Sequence, residues 1–275
     1  MAIQFPLVFG TATRTPFPTI QQLENQQSRL FGQLASGNLL TSAAVNPAGL
    51  AVAEQLTSQV NGLDQAQRNS ADATNLLNVA ESGLNNQQSS LQQERTLAVQ
   101  AGDAALAPSE LNLIQGQIQQ LNQGVNQVGQ QTQFNGIALL NGTSTTLKFQ
   151  SGANAGEQTP VGLPASNAQQ LGTSALDVTS SAGQQSALGQ LDQAINTTSQ
   201  NRSDVGAAEN SLQVQGDNAA TNEVNQVAAR SQLADTNIAQ ASTALAGSLL
   251  QQQFSLFALQ QQANSFALSN TLLVG

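Results

Sequence analysis

LNLIQGQIQQLNQGVNQV, residues 111–128, is the stretch on which the reading of this chain turns. Leu111, Ile114, Ile118, Leu121, Val125 and Val128 alternate three and four residues apart, which aligns them as a narrow seam on a helix. Almost every position between them is Gln, Asn or Gly. Outward on the N-terminal side the same steps recur in Ala53, Leu56, Val60 and Leu63, and again in Ala73, Leu76, Ala80 and Leu84. Between Leu50 and Gln133 the only proline is Pro108, within Ala107-Pro108-Ser109-Glu110, a turn with proline just ahead of a helix start. The stretch therefore predicts two long helices folded back on each other. At about 1.5 Å per residue the first arm would be ~75 Å long. A hairpin of that length with so thin an apolar stripe cannot bury the stripe by itself, so it needs lateral partners.

Composition supports thin seams over a thick core. Of the 275 residues only 8% are charged and 3% aromatic, and Trp, Tyr, His and Cys are absent. Without cysteine there are no disulfides, thiolate nucleophiles or thiolate metal sites. Without histidine the Ser-His-Asp, Cys-His and His-zinc chemistries are excluded. The sixteen acidic residues are spread singly, with no paired-carboxylate or EF-hand spacing. No catalytic, cofactor-binding or metal-binding residue is assigned, no cofactor is expected, and the chain is not read as an enzyme. A formal net charge of −9 with seven scattered Lys and Arg argues against nucleic acid or an anionic membrane as partner. No apolar run reaches the ~18 residues that span a bilayer. Residues 1–18 lack a basic start and a long apolar run and carry prolines at 6, 16 and 18, so they do not read as a secretory signal.

In chain order, the prolines predict an extended segment up to Pro18 that carries Phe5, Phe9 and Phe17. A helix follows from Thr19 to Ser36-Gly37, with Ile20, Leu23, Leu30, Phe31 and Leu34 on one side. Asn46-Pro47 reads as the cap of the long helix. Beyond the helical pair, Phe134-Asn135-Gly136 and Asn141-Gly142 mark turns, and alternation around Leu147, Phe149, Val161 and Leu163 predicts a β-hairpin. Residues 164–185 show little pattern and are expected to be loop. Helix resumes at Ser186, and a last segment, Leu233 to Leu259, holds Ile238, Ala241, Leu245, Leu249, Leu256 and Leu259, with Phe254, Phe257 and Phe266 widening the apolar face.

At this point the chain resembles bacterial flagellin over nearly its whole length. The resemblance rests on LASG at 34–37 with SA at 42–43 and PAGLA at 47–51; GL at 62–63 with QA at 65–66 and RN at 68–69; and LQ at 91–92 with LAVQ at 97–100. It continues in FNG at 134–136 with LLNG at 139–142; FQ at 149–150 with GANAG at 152–156; Asp204 with Gly206, Ala207, Asn210 and Leu212; and SQLADTNIA at 231–239. The resemblance implies a mainly α fold: a long helical-rod and coiled-coil bundle formed by the N- and C-terminal segments, a small β-hairpin and no large outer domain. The implied divisions are 1–45, the N-terminal part of an inner coiled coil with the Phe/Pro leader; 46–185, rod helices, hairpin and short loop; 186–232, the returning rod helix; and 233–275, the C-terminal part of the inner coiled coil.

It further implies a structural subunit of the extracellular flagellar filament for motility, exported unfolded by the flagellar type III route. Polymerisation seams would run through Leu23, Leu30, Leu34, Ile238, Leu245, Leu249, Leu256 and Leu259. The implied partners are further copies of the chain, an export chaperone at the C-terminal segment, and cap and junction proteins. The hook-filament junction protein shares both terminal regions and is the nearest alternative, with the hairpin and GANAG loop favouring the filament subunit. A secreted monomeric adhesin or immune ligand with this fold is the other, against which the apolar termini argue.

Three departures from the family pattern matter. The Phe/Pro segment stands where helix is usual, and Leu39 to Asn46 lacks the arginine and aspartates usual there. In the motif read by the innate immune receptor, around Gln93, Arg95 and Leu97, Gln93 replaces a family arginine and Glu94 adds a charge in place of an apolar residue. Weak recognition by that receptor is expected. The scarcity of ion pairs predicts weak dependence on salt and acid. The Asn-x-Ser/Thr matches at Asn141, Asn196 and Asn201 are of the kind that chance supplies in such a composition; sugars on Ser or Thr within 143–185 are the expectation from the family.

Overall fold

The computed structural model describes residues 19–143 and 146–274; the segment carrying Phe5, Phe9 and Phe17 lies outside the described residues, as does the side chain of Phe266. The chain is mainly α, and its helix boundaries follow local chemistry. Helix α1 (Ile20–Ser36) begins with a capping box, in which Gln22 N donates to Thr19 Oγ1 at 3.4 Å and Thr19 N to Gln22 Oε1 at 3.0 Å. Helix α2 (Pro47–Gln100) opens with proline in its first turn and Gly49 N donating to Asn46 Oδ1 at 2.9 Å. Helix α3 (Pro108–Gln131) also opens with proline, but here the helix supplies the acceptor, Ala107 N donating to Glu110 Oε2 at 2.8 Å.

Next come two small antiparallel pairs. Strands β1 (Gln133–Phe134) and β2 (Ile137–Ala138) meet across Asn135 and Gly136, whose φ values of 47° and 80° fit the positive-φ two-residue hairpin turn that Asn-Gly favours. Strands β3 (Thr146–Gln150) and β4 (Gln158–Gly162) form the expected hairpin, with Leu147 opposite Val161 and Phe149 opposite Thr159. Helices α4 (Ser181–Ala234) and α5 (Ile238–Val274) complete the order.

The fold divides into two compact units, one from Leu56 to Val227 and one from the residues on either side, up to Gln55 and from Ala228. In the Leu56–Val227 unit the α3 seam is used as its period suggests: Ile114, Ile118 and Val125 are buried, and Leu111, Leu121 and Val128 half-buried. Leu111, Ile114, Ile118 and Val125 pack with Leu91 and Ala98 of α2, Ala101 just beyond it, and Ala187, Leu191 and Ala194 of α4. A second cluster joins Leu76, Leu77, Ala80 and Leu84 of α2 to Leu139, Leu140, Val161, Leu163 and to Val205 and Leu212 of α4. Alanine at so many contact positions lets the helices approach closely with few large side chains.

The segment expected to be a patternless loop is different from that expectation in two respects. Helix α4 starts at Ser181, five residues before Ser186. Residues 164–180, without helix or strand, form a strap whose Ser166, Ala168, Leu171, Thr173, Leu176 and Val178 are buried. Helix α3 holds it through amide side chains. Asn122 Nδ2 donates to Thr173 O and Gln115 Nε2 to Leu176 O, both at 2.7 Å, while Val178 N donates to Gln115 Oε1 at 2.8 Å. Gln87 of α2, fully buried, donates to both Val125 O and Ser166 O and accepts from Ser166 Oγ. The strap can lie this close because position 129 is glycine; a Cβ there would stand 2.6 Å from Ser166 O.

In the other unit α1 and α5 pair antiparallel around Leu23, which is fully buried, and Gln27, whose Nε2 donates to Ser248 O and Gln252 Oε1 at 3.3 and 3.1 Å. At the opposite end Leu39 N donates to Ala234 O and Thr236 N to Gly37 O, and Leu40, Ala53 and Ala234 make a small apolar cluster.

Candidate assembly surface and receptor-motif region

Helix α5 has no charged residue from Ile238 to Val274. Only Ala241 and Ser248 of its described side chains are buried, which leaves a broad apolar surface. Phe254 is 72% exposed and Phe257 61%, beside Leu249, Leu250, Leu256 and Leu259. Where α1 and α5 meet, an open groove of about 890 Å³ is lined by Thr19, Ile20, Leu250, Phe254, Ala258 and Leu259. Large apolar side chains exposed side by side along a helix favour association. Among the described residues no helix is long and apolar enough to cross a membrane.

The residues assigned to seams fall into two groups. Leu23 is covered within the chain, and Leu30, Leu34 and Leu245 are half-covered, so these hold α1 to α5. Ile238, Leu249, Leu256 and Leu259 are exposed. The period that selected them could not separate the groups, because α5 is apolar around most of its circumference. Phe31 of α1 and Leu250 of α5 are also more than half exposed, and Leu250 was not singled out by the spacing.

On α2, Gln93 and Arg95 are exposed and Leu97 is half-buried. Gln93, Thr96 and Leu97 line a shallow groove with Gln117, Gln120 and Leu121 of α3. Arg95 Nε donates to Asp192 Oδ1 of α4 at 2.6 Å, with both side chains about half exposed, a setting in which an ion pair contributes little to stability. Two other ion pairs occur among the described residues, Arg68–Asp64 within α2 and Arg202–Glu81 between α4 and α2.

Glu94, read as a charge in place of an apolar residue, does not share the exposure of Gln93 and Arg95. It lies between Leu91 and Ala98 on the buried face of α2, is fully buried, and completes no hydrogen bond with either carboxyl oxygen. Burial pushes its pKa up to about 7, against a smaller opposing influence of the Asn122 amide. Glu209 is also raised, by burial first and by Glu81 second. Among the described residues no group of three acids is arranged to hold a metal ion.

Comparison with known proteins gives this arrangement a context. Residues 14–145 match the bacterial flagellin N-terminal helical region and residues 188–272 the bacterial flagellin C-terminal helical region. A flagellin of Halalkalibacterium halodurans is 34% identical over 217 residues, covering 78% of this chain and 80% of that protein. A flagellin of Serratia marcescens is 38% identical over 160 residues, 57% of this chain and 45% of that one. The phase 2 flagellin of Salmonella abortus-equi is 37% identical, the match covering 58% of this chain but 32% of the longer protein. The crystal structure of Bacillus cereus flagellin superposes with a TM-score of 0.50 and 25% identity, covering 55% of this chain and 88% of that one.

Proposed function

Because the chain belongs to the bacterial flagellin family, a family of structural and not enzymatic proteins, we propose that it polymerises into the flagellar filament through its terminal helices and is exported unfolded by the flagellar type III route. The observation that carries this reading is the charge-free surface of α5, with Leu250, Phe254, Phe257 and Leu259 exposed beyond the cover that α1 supplies. Burying one such side chain is worth roughly 1.5–3 kcal/mol, so a row of them repeated along a helical array favours the polymer strongly. The same surface is suited to an export chaperone before assembly, and cap and junction proteins would meet it at the filament ends. Recognition by the innate immune receptor is expected to be weak, because a neutral amide at Gln93 lacks the fixed charge and planar donor fork of arginine.

Electron microscopy of the purified protein under assembly conditions tests the central claim. Filaments from the full chain, and none from a chain lacking residues 240–275, support it. Filaments from the truncated chain, or only monomers from the full one, would overturn it.

A further inference from the structure

Glu94 is the least expected side chain in the Leu56–Val227 unit. It stands at the contact of α2 with α3 and the strap of residues 164–180, fully buried, with Leu91 three residues before it and Ala98 four residues after it in the same apolar cluster. Among the described residues no cation pairs with it. Arg95, its neighbour in sequence, is turned outward to Asp192 of α4. The charged residue of α3 is Glu110, and that of the strap is Asp177, whose Oδ1 accepts from Thr179 N and Oγ1. The polar side chain near its carboxyl group is Asn122, whose Nδ2 donates to Thr173 O at 2.7 Å and so fastens the buried centre of the strap to α3.

We propose that Glu94 is a proton-operated clasp: neutral, it stays dry beneath the strap, which lies closed over α2 and α3; ionised, with no cation beside it and its carboxyl oxygens unsatisfied, it draws in water and the strap opens. The physical reason is the cost of an unpaired buried charge, which a structure relieves by proton uptake or by local opening. Because the folded state favours the protonated form, the stabilisation is complete below the ordinary carboxyl pKa of 4.5 and is lost as pH rises through about 7. Of the other acids with displaced pKa values, Glu209 alone is shifted in the same direction, so comparison with Glu94→Gln isolates the clasp. Glu157 and Asp177 are held below the usual carboxylate range by Asn154 and Thr179, so they act at lower pH, and Glu209 lies on α4, facing Glu81.

Hydrogen exchange of the full-length monomer at pH 5 and pH 8, corrected for the intrinsic pH dependence of exchange, tests the clasp against Glu94→Gln. In the unsubstituted protein, opening of residues 168–178 should become more frequent by about seventy-fold from pH 5 to pH 8, the change a pKa displaced from 4.5 to about 7 imposes between those values. Glu94→Gln should abolish most of that change. Equal pH dependence in the two proteins would overturn the proposal. Infrared spectroscopy supplies an independent readout if Glu94→Gln folds poorly. A protonated-carboxyl band present at pH 6 and gone by pH 8.5 supports the clasp; no such band at pH 6 would also overturn it, and Glu94→Leu should lack the band while keeping the strap closed at both pH values.

Discussion

Helices α3 and α5 use apolar residues in opposite ways. In α3 the apolar residues apart from exposed Leu113 form one stripe, and Ile114, Ile118 and Val125 from that stripe are buried by α2, α4 and the strap, while Gln115, Asn122 and Asn126 on the flank take up the strap's backbone groups. In α5 Leu, Phe and Ala occur around most of the helix, α1 covers a narrow band near Ala241, Leu245 and Ser248, and the rest faces outward with no charge to solvate it. A helix apolar on one stripe can be satisfied by its own chain, whereas one apolar nearly all round needs neighbours. The contrast supports the proposed division, in which the α3 region stabilises the monomer and the α5 surface serves assembly.

The largest effect expected from this contrast is all-or-none. Removing residues 240–275 should abolish filaments while the Leu56–Val227 unit keeps its helical circular-dichroism signal and melting transition. Loss of both together would break the proposed division of labour. Point substitutions sharpen it. Ile118→Ala, at a position 1% exposed, should destabilise the monomer by about 2–5 kcal/mol in denaturant titrations. Phe257→Ser, at an exposed position, should change monomer stability by less than about 0.5 kcal/mol yet raise the critical concentration for assembly.

A polar rivet comes next. Gln87→Ala leaves Ser166 Oγ and two buried carbonyls without their partner, so it should cost about 1–3 kcal/mol by the same titration. A neutral outcome would mean that water replaces the amide. At the small end, Arg95→Ala should alter stability by under about 1 kcal/mol, because its pair with Asp192 is half exposed. Gln93→Arg should leave the fold unchanged and raise signalling in a receptor-reporter cell assay. No gain would remove Gln93 as the reason for weak recognition.

Much of this was legible in the chain. Ile114, Ile118 and Val125 are buried because a three-and-four period leaves a helix only one apolar side, and Thr19, Asn46, Pro47, Pro108 and Glu110 set helix starts by local hydrogen bonds that need no distant partner. The Asn-Gly turn and the alternation around Leu147 and Val161 likewise act over a few residues. Tertiary structure decided what has no period. The strap is buried by residues at irregular intervals, and it is held by amides of α3 about forty to sixty positions away in sequence. Which of the α5 leucines would be covered depended on where α1 lies, since α5 is apolar in nearly every direction. Glu94 was legible as a charge in place of an apolar residue, and its steps of three and four from Leu91 and Ala98 already set it on their side of α2. How deeply it is buried was decided by α3 and the strap, which cover that side and remove water that favours the ionised form.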